Sequence, residues 1–411
     1  MSGNDLPFGI KGNGAIDRRR FLATAGMLGA SLWGFGPALA QDETFKLGWV
    51  RASTGPFASS FGFAYIAGLI AIDEINAAGG IMGRPIERVE IDDEGAPGKE
   101  AAIIRKLKED GVNYVCGPVG SSQALASLSS GSRVGMIQTS YANAAELGDA
   151  ARNPYHYQCL ANTEQQGQVA VAYLTEILKA KKIGILQENT AFGDAATSAC
   201  TAALKKRKLY PKDIQIYPLS APNLNSYVGN LKRSGVDGVL AWIATVPQLT
   251  MAFQAMVALD WFPPMTGNNV LFLGAVVENL PDKALQNAYG VQYRTLTYTK
   301  TEDPGELQQQ FSAKLSKVPD LKGFEPVVAA SPFYDFIHLL KQVIETEKSF
   351  DPMRVKRALD AVSGYQGLLG TLSFTPTNHT GVPLDGITVA TLASARAPQS
   401  QGCFRERAPG T

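Results

Sequence analysis

Two α/β lobes, each built on a parallel-rich sheet with helices on both faces, are what this sequence predicts. Three observations carry that reading. A β-α-β unit occupies residues 47–92. Two segments, Lys108-Glu109-Asp110-Gly111-Val112-Asn113-Tyr114-Val115 and Lys232-Arg233-Ser234-Gly235-Val236-Asp237-Gly238-Val239, repeat one pattern of helix end, capping glycine and strand entry. The chain of 411 residues also exceeds what a single hydrophobic core usually organises.

The elements follow in order. Residues 47–51 read as a short buried strand, Ser53-Thr54-Gly55-Pro56 as the turn leaving it, and Tyr65, Leu69, Ile72 and Ile75 as one helix face. Gly79-Gly80 ends that helix, because glycine takes the left-handed conformation without a Cβ clash, and a second strand over residues 86–92 returns to the sheet. Residues 101–108 form a helix with Ile103, Ile104 and Leu107 inward, residues 112–116 a strand, and further elements lie around Gly135 and Gln138. The second lobe is expected to hold helices over 168–178 and 195–204 and strands over 183–186 and 238–243. Such alternation gives parallel sheets covered on both faces, whose ligands bind at the carboxyl ends of the strands. Two lobes facing one another make a cleft.

The wording Glu74-Ile75-Asn76-Ala77-Ala78-Gly79-Gly80-Ile81-Met82-Gly83-Arg84-Pro85 resembles the opening of the type I periplasmic solute-binding proteins, the branched-chain amino-acid-binding (leucine-binding) family. The resemblance runs from about Leu47 to about Thr391. Its later marks are Tyr334-Asp335, Gly367-Leu368-Leu369-Gly370 and Phe374-Thr375-Pro376. It implies two Rossmann-like lobes joined by three crossovers, placed by position near Leu160, Arg294 and Thr371. The first lobe would then comprise residues 41–159 and 294–370 and the second 160–293 and 371–394, with 395–411 a C-terminal tail mobile at its end.

Ahead of this lies an export signal over residues 1–40. Arg18-Arg19-Arg20-Phe21-Leu22 supplies the charge, residues 23–39 the apolar run, and Ala38-Leu39-Ala40 a cleavage site before Gln41. The paired arginines resemble the twin-arginine signal, a receptor-read address and not an anchor. No cysteine ends the signal, which favours free periplasmic solution over a lipid anchor. Net charge is +1, and Lys11 and the three arginines against Asp5 and Asp17 leave the mature chain near −1. That balance favours neither nucleic acid nor an anionic membrane.

Cys116, Cys159, Cys200 and Cys403 have no metal or redox spacing, and Cys116 and Cys200 are expected as buried thiols. Metal-protease, P-loop and dinucleotide motifs are missing from the mature sequence, so neither an enzyme nor a cofactor is implied. His338 is placed on a helix and His379 in the polar turn Thr377-Asn378-His379-Thr380-Gly381. Asp92-Asp93-Glu94 is read as a solvated trio capping the next helix.

The candidate anion site is Gly117-Pro118-Val119-Gly120-Ser121-Ser122-Gln123, where small residues admit a ligand to the backbone and unpaired amides at a helix start favour a carboxylate. Either serine also serves as a cap for its own helix. The resemblance assigns a serine of this loop to the ligand carboxylate, hence Ser121 and Ser122, with Gln123 beside them. It brings a second wall at Thr139-Ser140-Tyr141-Ala142-Asn143, with Ser140, Tyr141 and Ala142 facing the ligand and Ala142 where the family has threonine. It makes Phe61-Gly62 and Phe192-Gly193 aromatic gates that have lost a phenol hydroxyl, on loops after strands. It adds Thr245, and puts Asn268-Asn269 where amino-acid binders carry an acid for the ligand ammonium. Glu188, from a neighbouring loop, either substitutes for that acid or faces water. An amide compensates a buried ammonium less well than a carboxylate. The ligand is expected to be a small organic solute, either an amino acid or a carboxylic or keto acid with an apolar or aromatic body; these departures favour the acid, bound better than leucine, isoleucine or valine. The implied role is capture of a small molecule by a monomeric receptor, delivered to an inner-membrane ABC permease and its ATPases. The same fold also serves signalling systems as a ligand-sensing module.

Overall fold

The computed structural model describes residues 43–272, 280–318, 331–393 and 404–411; the export signal and Cys403 lie outside them. In the first lobe the chain runs β1 (Phe45–Arg51), α1 (Ala58–Ala77), β2 (Ile86–Asp92), α2 (Glu100–Glu109), β3 (Tyr114–Val119), α3 (Ser121–Arg133) and β4 (Ile137–Tyr141). These strands form a parallel sheet in the order β2-β1-β3-β4. Its core is aromatic where β1 meets the helices: Trp49 packs on Tyr65 at 5.4 Å and on Phe333 at 5.9 Å between ring centroids.

The second lobe runs α4 (Thr163–Ala172), β5 (Ile183–Glu188), α5 (Ala191–Lys206), β6 (Asp213–Tyr217), α6 (Asn225–Arg233), β7 (Gly238–Trp242), α7 (Val246–Ala258), β8 (Met265–Gly267), α8 (Asp282–Leu285) and β9 (Ala288–Tyr293). After β10 (Thr297–Tyr298) the chain rejoins the first lobe through α9 (Glu306–Leu315), α10 (Pro332–Glu347), which packs on α1, and α11 (Pro352–Leu359). The hairpin of β11 (Tyr365–Gln366) with β12 (Thr371–Leu372) follows, then β13 (Ile387–Thr391) and β14 (Arg405–Glu406). The second sheet has the order β13-β9-β8-β7-β5-β6, parallel except for β13 against β9. The two repeated segments end α2 and α6 alike: Gly111 and Gly235 take φ of +81° and +72°, where only glycine is unstrained, and a strand follows each.

Several elements differ from expectation. The strand expected over 112–116 extends to Val119, with a register shift after Cys116. The helix expected from residue 168 begins at Thr163, because Asn162 and Gln165 close a capping box, a signal present in the sequence. Phe61 and Phe192 lie in the opening turns of α1 and α5, not on loops. The third passage between lobes, expected near Thr371, comes later. Thr371 and Leu372 fold back on Gln366 and Tyr365, and the chain runs beside residues 156–158, with Gly381 N donating to Gln158 O at 2.9 Å, before it joins β13.

That passage buries His379, expected in a polar turn. Its ring stacks on Tyr157 at 4.2 Å, its Nε2 lies 2.9 Å from Asp360 Oδ1, and Lys356 Nζ reaches Asp360 Oδ2 at 2.7 Å. The tail end is also fixed, since β14 pairs with β10 and Arg407 makes bonds of 2.6 and 2.9 Å to Glu302. The acidic trio divides. Asp92 accepts amide bonds from Ser53 and Glu94, both at 2.9 Å. Asp93 is wholly buried against Glu100, whose carboxyl burial and the Asp93 charge push up to about 9. Two carboxyls face one another there, so the pair holds a proton. His338 bonds Glu74 at 3.0 Å and ties α10 to α1, and Cys116, Cys159 and Cys200 are buried free thiols.

Candidate functional site

A cavity of about 190 Å³ lies between the lobes, at the ends of β3 and β4 on one side and of β5, β7 and β8 on the other. On the first-lobe side Gly120 takes φ of +99° and turns the chain from β3 straight into α3. No side chain caps this helix, so its first-turn amides and the positive end of its dipole are left for an anion. Ser121 Oγ accepts from Ala144 N and Ser122 Oγ from Ala191 N, each at 3.1 Å, and each hydroxyl proton stays available to a ligand. The second of these bonds crosses between lobes. Gln123 Nε2 donates to Gly95 O at 2.6 Å, holding the loop after β2 against α3.

Aromatic rings form the apolar wall. Phe57 meets Phe61 edge-on at 5.5 Å, and Phe61 meets Tyr141 edge-on at 6.1 Å. Burial raises the Tyr141 phenol pKa even though the side chain of Asn269, from the other lobe, hydrogen-bonds it. Across the cleft Phe192 stands 6.1 Å from Trp242. Asn268 donates through Nδ2 to Ile243 O at 3.1 Å, so its amide braces the end of β8 on β7.

Of the residues singled out by sequence, Phe61, Ser121, Ser122, Gln123, Tyr141, Ala142, Phe192, Asn268 and Asn269 come together on the cavity. Ser140 and Thr245 do not line it. Successive strand residues point to opposite faces, so with Tyr141 toward the cleft Ser140 turns inward, 2.8 Å from His156 Nε2. Burial lowers that imidazole to about 4 and keeps it neutral. Thr245 is the residue before α7, with its hydroxyl buried.

Asn143, the end of the expected second wall, also lines the cavity, while sequence reading passed over Phe57 and Thr190. Phe57 carried a usable signal, four residues before Phe61 and next to the turn. Glu188, left open between two roles, is no solvated residue: it ends β5 at 1% exposure and lines the cavity. Its Oε1 accepts from Thr190 Oγ1 and its Oε2 from Ala244 N, both at 2.8 Å. Burial nevertheless raises the carboxyl from its ordinary 4.5 to about 7. Glu188 is thus a second-lobe acid on the cavity wall, where Asn268 and Asn269 offer only amides. Among the described residues lining the cavity there is no lysine, arginine or histidine.

Two α/β lobes meeting on a small cavity, with bare helix amides at one end and aromatic rings along its walls, define a clamp for a small solute. The chain belongs to the periplasmic binding protein family, whose model matches residues 44–396. It is a solute-binding protein, not an enzyme, and a periplasmic location goes with the family. It is similar to "Leu/Ile/Val-binding protein homolog 1" of Brucella abortus (strain 2308), 25% identical over 312 residues that cover 74% of this chain and 79% of that one. Its fold is similar to that of a type 1 periplasmic binding protein from Bordetella pertussis Tohama I, with a TM-score of 0.77 and 21% identity over 89% of this chain and 100% of that one. A solute-binding protein from R. palustris, solved with 4-hydroxybenzoate, shares the fold with a TM-score of 0.69 and 19% identity over 88% of this chain and 95% of that one.

Proposed function

We propose that this protein is the receptor of an ABC importer, which closes its lobes on a small carboxylic acid with an apolar or aromatic body and presents it to a membrane permease and its ATPases. The observation that carries this reading is the uncapped start of α3, facing aromatic walls. Helix-start amides are suited to a carboxylate, and a cavity lined by rings gains most from an apolar body. The R. palustris relative in fold was solved with such an acid, 4-hydroxybenzoate. Export follows the twin-arginine route with cleavage after Ala40, and the receptor works as a monomer. N-terminal sequencing of periplasmic protein then starts at Gln41.

A thermal-shift screen over aliphatic and aromatic acids, amino acids and their amides tests the ligand class. A ligand at about a hundredfold over its Kd stabilises the fold by about 2.7 kcal/mol. Acids raising Tm while the matched amides do not is the expected result. Stabilisation by amides and amines alone would remove the carboxylate reading.

A further inference from the structure

We propose that the end of the second lobe opposite the ligand cavity is a docking surface for an anionic phospholipid bilayer, formed by six lysines and the exposed edge of β6. The inference is independent of which solute the cleft binds.

The net charge near −1 of the mature chain conceals an uneven distribution. Lys179, Lys181 and Lys182 precede β5, Lys205 lies in the last turn of α5, and Lys208 and Lys212 lead into β6, all of them exposed. The fold gathers these segments. Arg207 Nη2 pairs with Glu176 Oε1 at 2.7 Å, tying the end of α5 to the chain just before Lys179. Lys212 N donates to Ile183 O at 2.7 Å, which sets Lys212 beside Lys182. Among the described residues none of the six ammonium groups has an ion-pair partner. The acids between them are engaged elsewhere: Glu176 by Arg207, Asp237 by the amides of Lys181 and Lys182 at 2.9 and 2.7 Å, and Asp213 by Gln215 Nε2 at 2.8 Å. A lysine in the last turn of a helix answers the helix dipole, which accounts for Lys205 but not for the five in loops.

Apolar exposure sets this surface apart from a merely solvated one. From Arg207 to Ile216 exposure alternates residue by residue, so Lys208, Tyr210, Lys212, Ile214 and Ile216 all face solvent, Tyr210 at 64% and Ile216 at 50%. Gln215 turns the other way and accepts from Asn230 Nδ2 of α6 at 3.0 Å, leaving the two isoleucines on the opposite face of an edge strand.

Three features choose the partner. The cations are lysines, compact point charges that do not fork onto one phosphate as arginine does, and so suit a surface dense in negative charge. Apolar side chains among them gain from a bilayer, where they enter the headgroup region and tyrosine sits at its boundary. Pairing of β6 with the same strand of a second copy would bring two sets of lysines together, and like charges oppose it. The periplasmic location that goes with the family puts a bilayer surface within reach. The lysines stand at the starts of β5 and β6, while the ends of the strands meet the cavity, so a docked molecule keeps its cleft open to solute.

The test sediments the full mature protein with phosphatidylcholine vesicles containing about one-third phosphatidylglycerol, and with phosphatidylcholine alone, at about 0.05 and 0.5 M salt. Binding at low salt is expected to be at least about tenfold tighter to the anionic vesicles, and to fall by about tenfold at high salt. Lys208→Glu combined with Lys212→Glu is expected to lose at least about tenfold of that affinity. Tyr210→Ser combined with Ile216→Ser should lose about threefold at low salt and most of the binding that survives high salt. All four side chains are exposed, so circular dichroism and ligand-induced thermal shifts are expected to match wild type. Lys181→Glu with Lys182→Glu repeats the comparison if the first pair melts below wild type. Equal binding to neutral and anionic vesicles, binding to neither, or full affinity in the charge-reversed variants overturns the proposal. Binding to polyglutamate with none to vesicles overturns it too, and would assign the face to an acidic protein.

Discussion

Glu188 and Asp335 are both buried carboxyls that accept two hydrogen bonds, yet they sit in opposite kinds of place. Asp335 takes the amides of Leu368 and Leu369 at 2.5 and 3.0 Å, and a Cβ on Gly367 would stand 2.6 Å from its Cγ. Its own chain wraps it completely. Glu188 has one side toward the ligand cavity. Burial dominates both, pushing Asp335 up from 3.8 to about 6 and Glu188 from 4.5 to about 7. Neither the number of bonds nor the direction of the shift separates a group that holds the fold from one that meets a ligand; the occupant of the remaining side does.

The largest effect expected from this contrast is on stability. Asp335→Ala strands two buried amides and opens a gap under Gly367, for a loss of about 2–4 kcal/mol. Denaturant titration measures it, and ligand affinity of the folded variant is expected to match wild type. An affinity loss at unchanged stability would place Asp335 in the site and dissolve the contrast.

Next in size is the anion end of the cleft. Ser121→Ala combined with Ser122→Ala is expected to weaken the best-bound acid by about 1.5–3 kcal/mol, the range for hydrogen bonds to a charged group. Calorimetry reads it directly. Unchanged affinity with an intact fold would move the carboxylate away from α3.

A third buried acid sharpens the comparison through pH. Glu100 faces Asp93 and has a carboxyl raised from 4.5 to about 9. For an acid whose pKa is higher in the folded state, the stability contribution is complete below the unfolded value and is lost as pH climbs toward the folded one. Glu100→Gln keeps the shape of the protonated form without that loss. It should therefore be near neutral at pH 4.5 and stabilising by about 1–2 kcal/mol at pH 8, with Tm measured across that window. A variant destabilised at pH 8 would show that the pair is worth more ionised than this argument allows.

How much of this was legible in the sequence depends on how local each signal is. The glycine-capped helix ends at Gly111 and Gly235 are written in a few adjacent residues and folded as read, whereas the small-residue loop expected over 117–123 shrinks to Gly120, because β3 runs on to Val119 and α3 starts at Ser121. Ser140 misled because strand alternation puts neighbours on opposite faces, and nothing local says which of Ser140 and Tyr141 faces the cleft. His379 looked solvated within its polar pentapeptide, but the chain returns there beside residues 156–158, more than two hundred positions earlier. Glu188 could not be assigned for the same reason. Its burial comes from β7 and α5 closing over the end of β5, and sequence spacing does not show that the Ala244 amide reaches it.

The smallest effect concerns motion between the two sides of the cleft. Ser122 with Ala191, and Tyr141 with Asn269, are bonds between lobes, and they can exist only while the cleft is shut. Each is a single neutral hydrogen bond, worth about 0.5–1.5 kcal/mol net, too little to hold the lobes together without a ligand that touches both walls. Ligand contacts made only in the shut form should therefore shift the population toward it. Small-angle scattering is expected to show the radius of gyration contracting on saturation with a bound acid, as in hinge closure about a ligand. Ser122→Ala should widen the ligand-free average further and leave the saturated value unchanged, because one of the two bridging bonds is gone before the ligand arrives. Identical curves with and without ligand, in both proteins, would mean that the cavity is preformed and that the solute enters without parting the lobes.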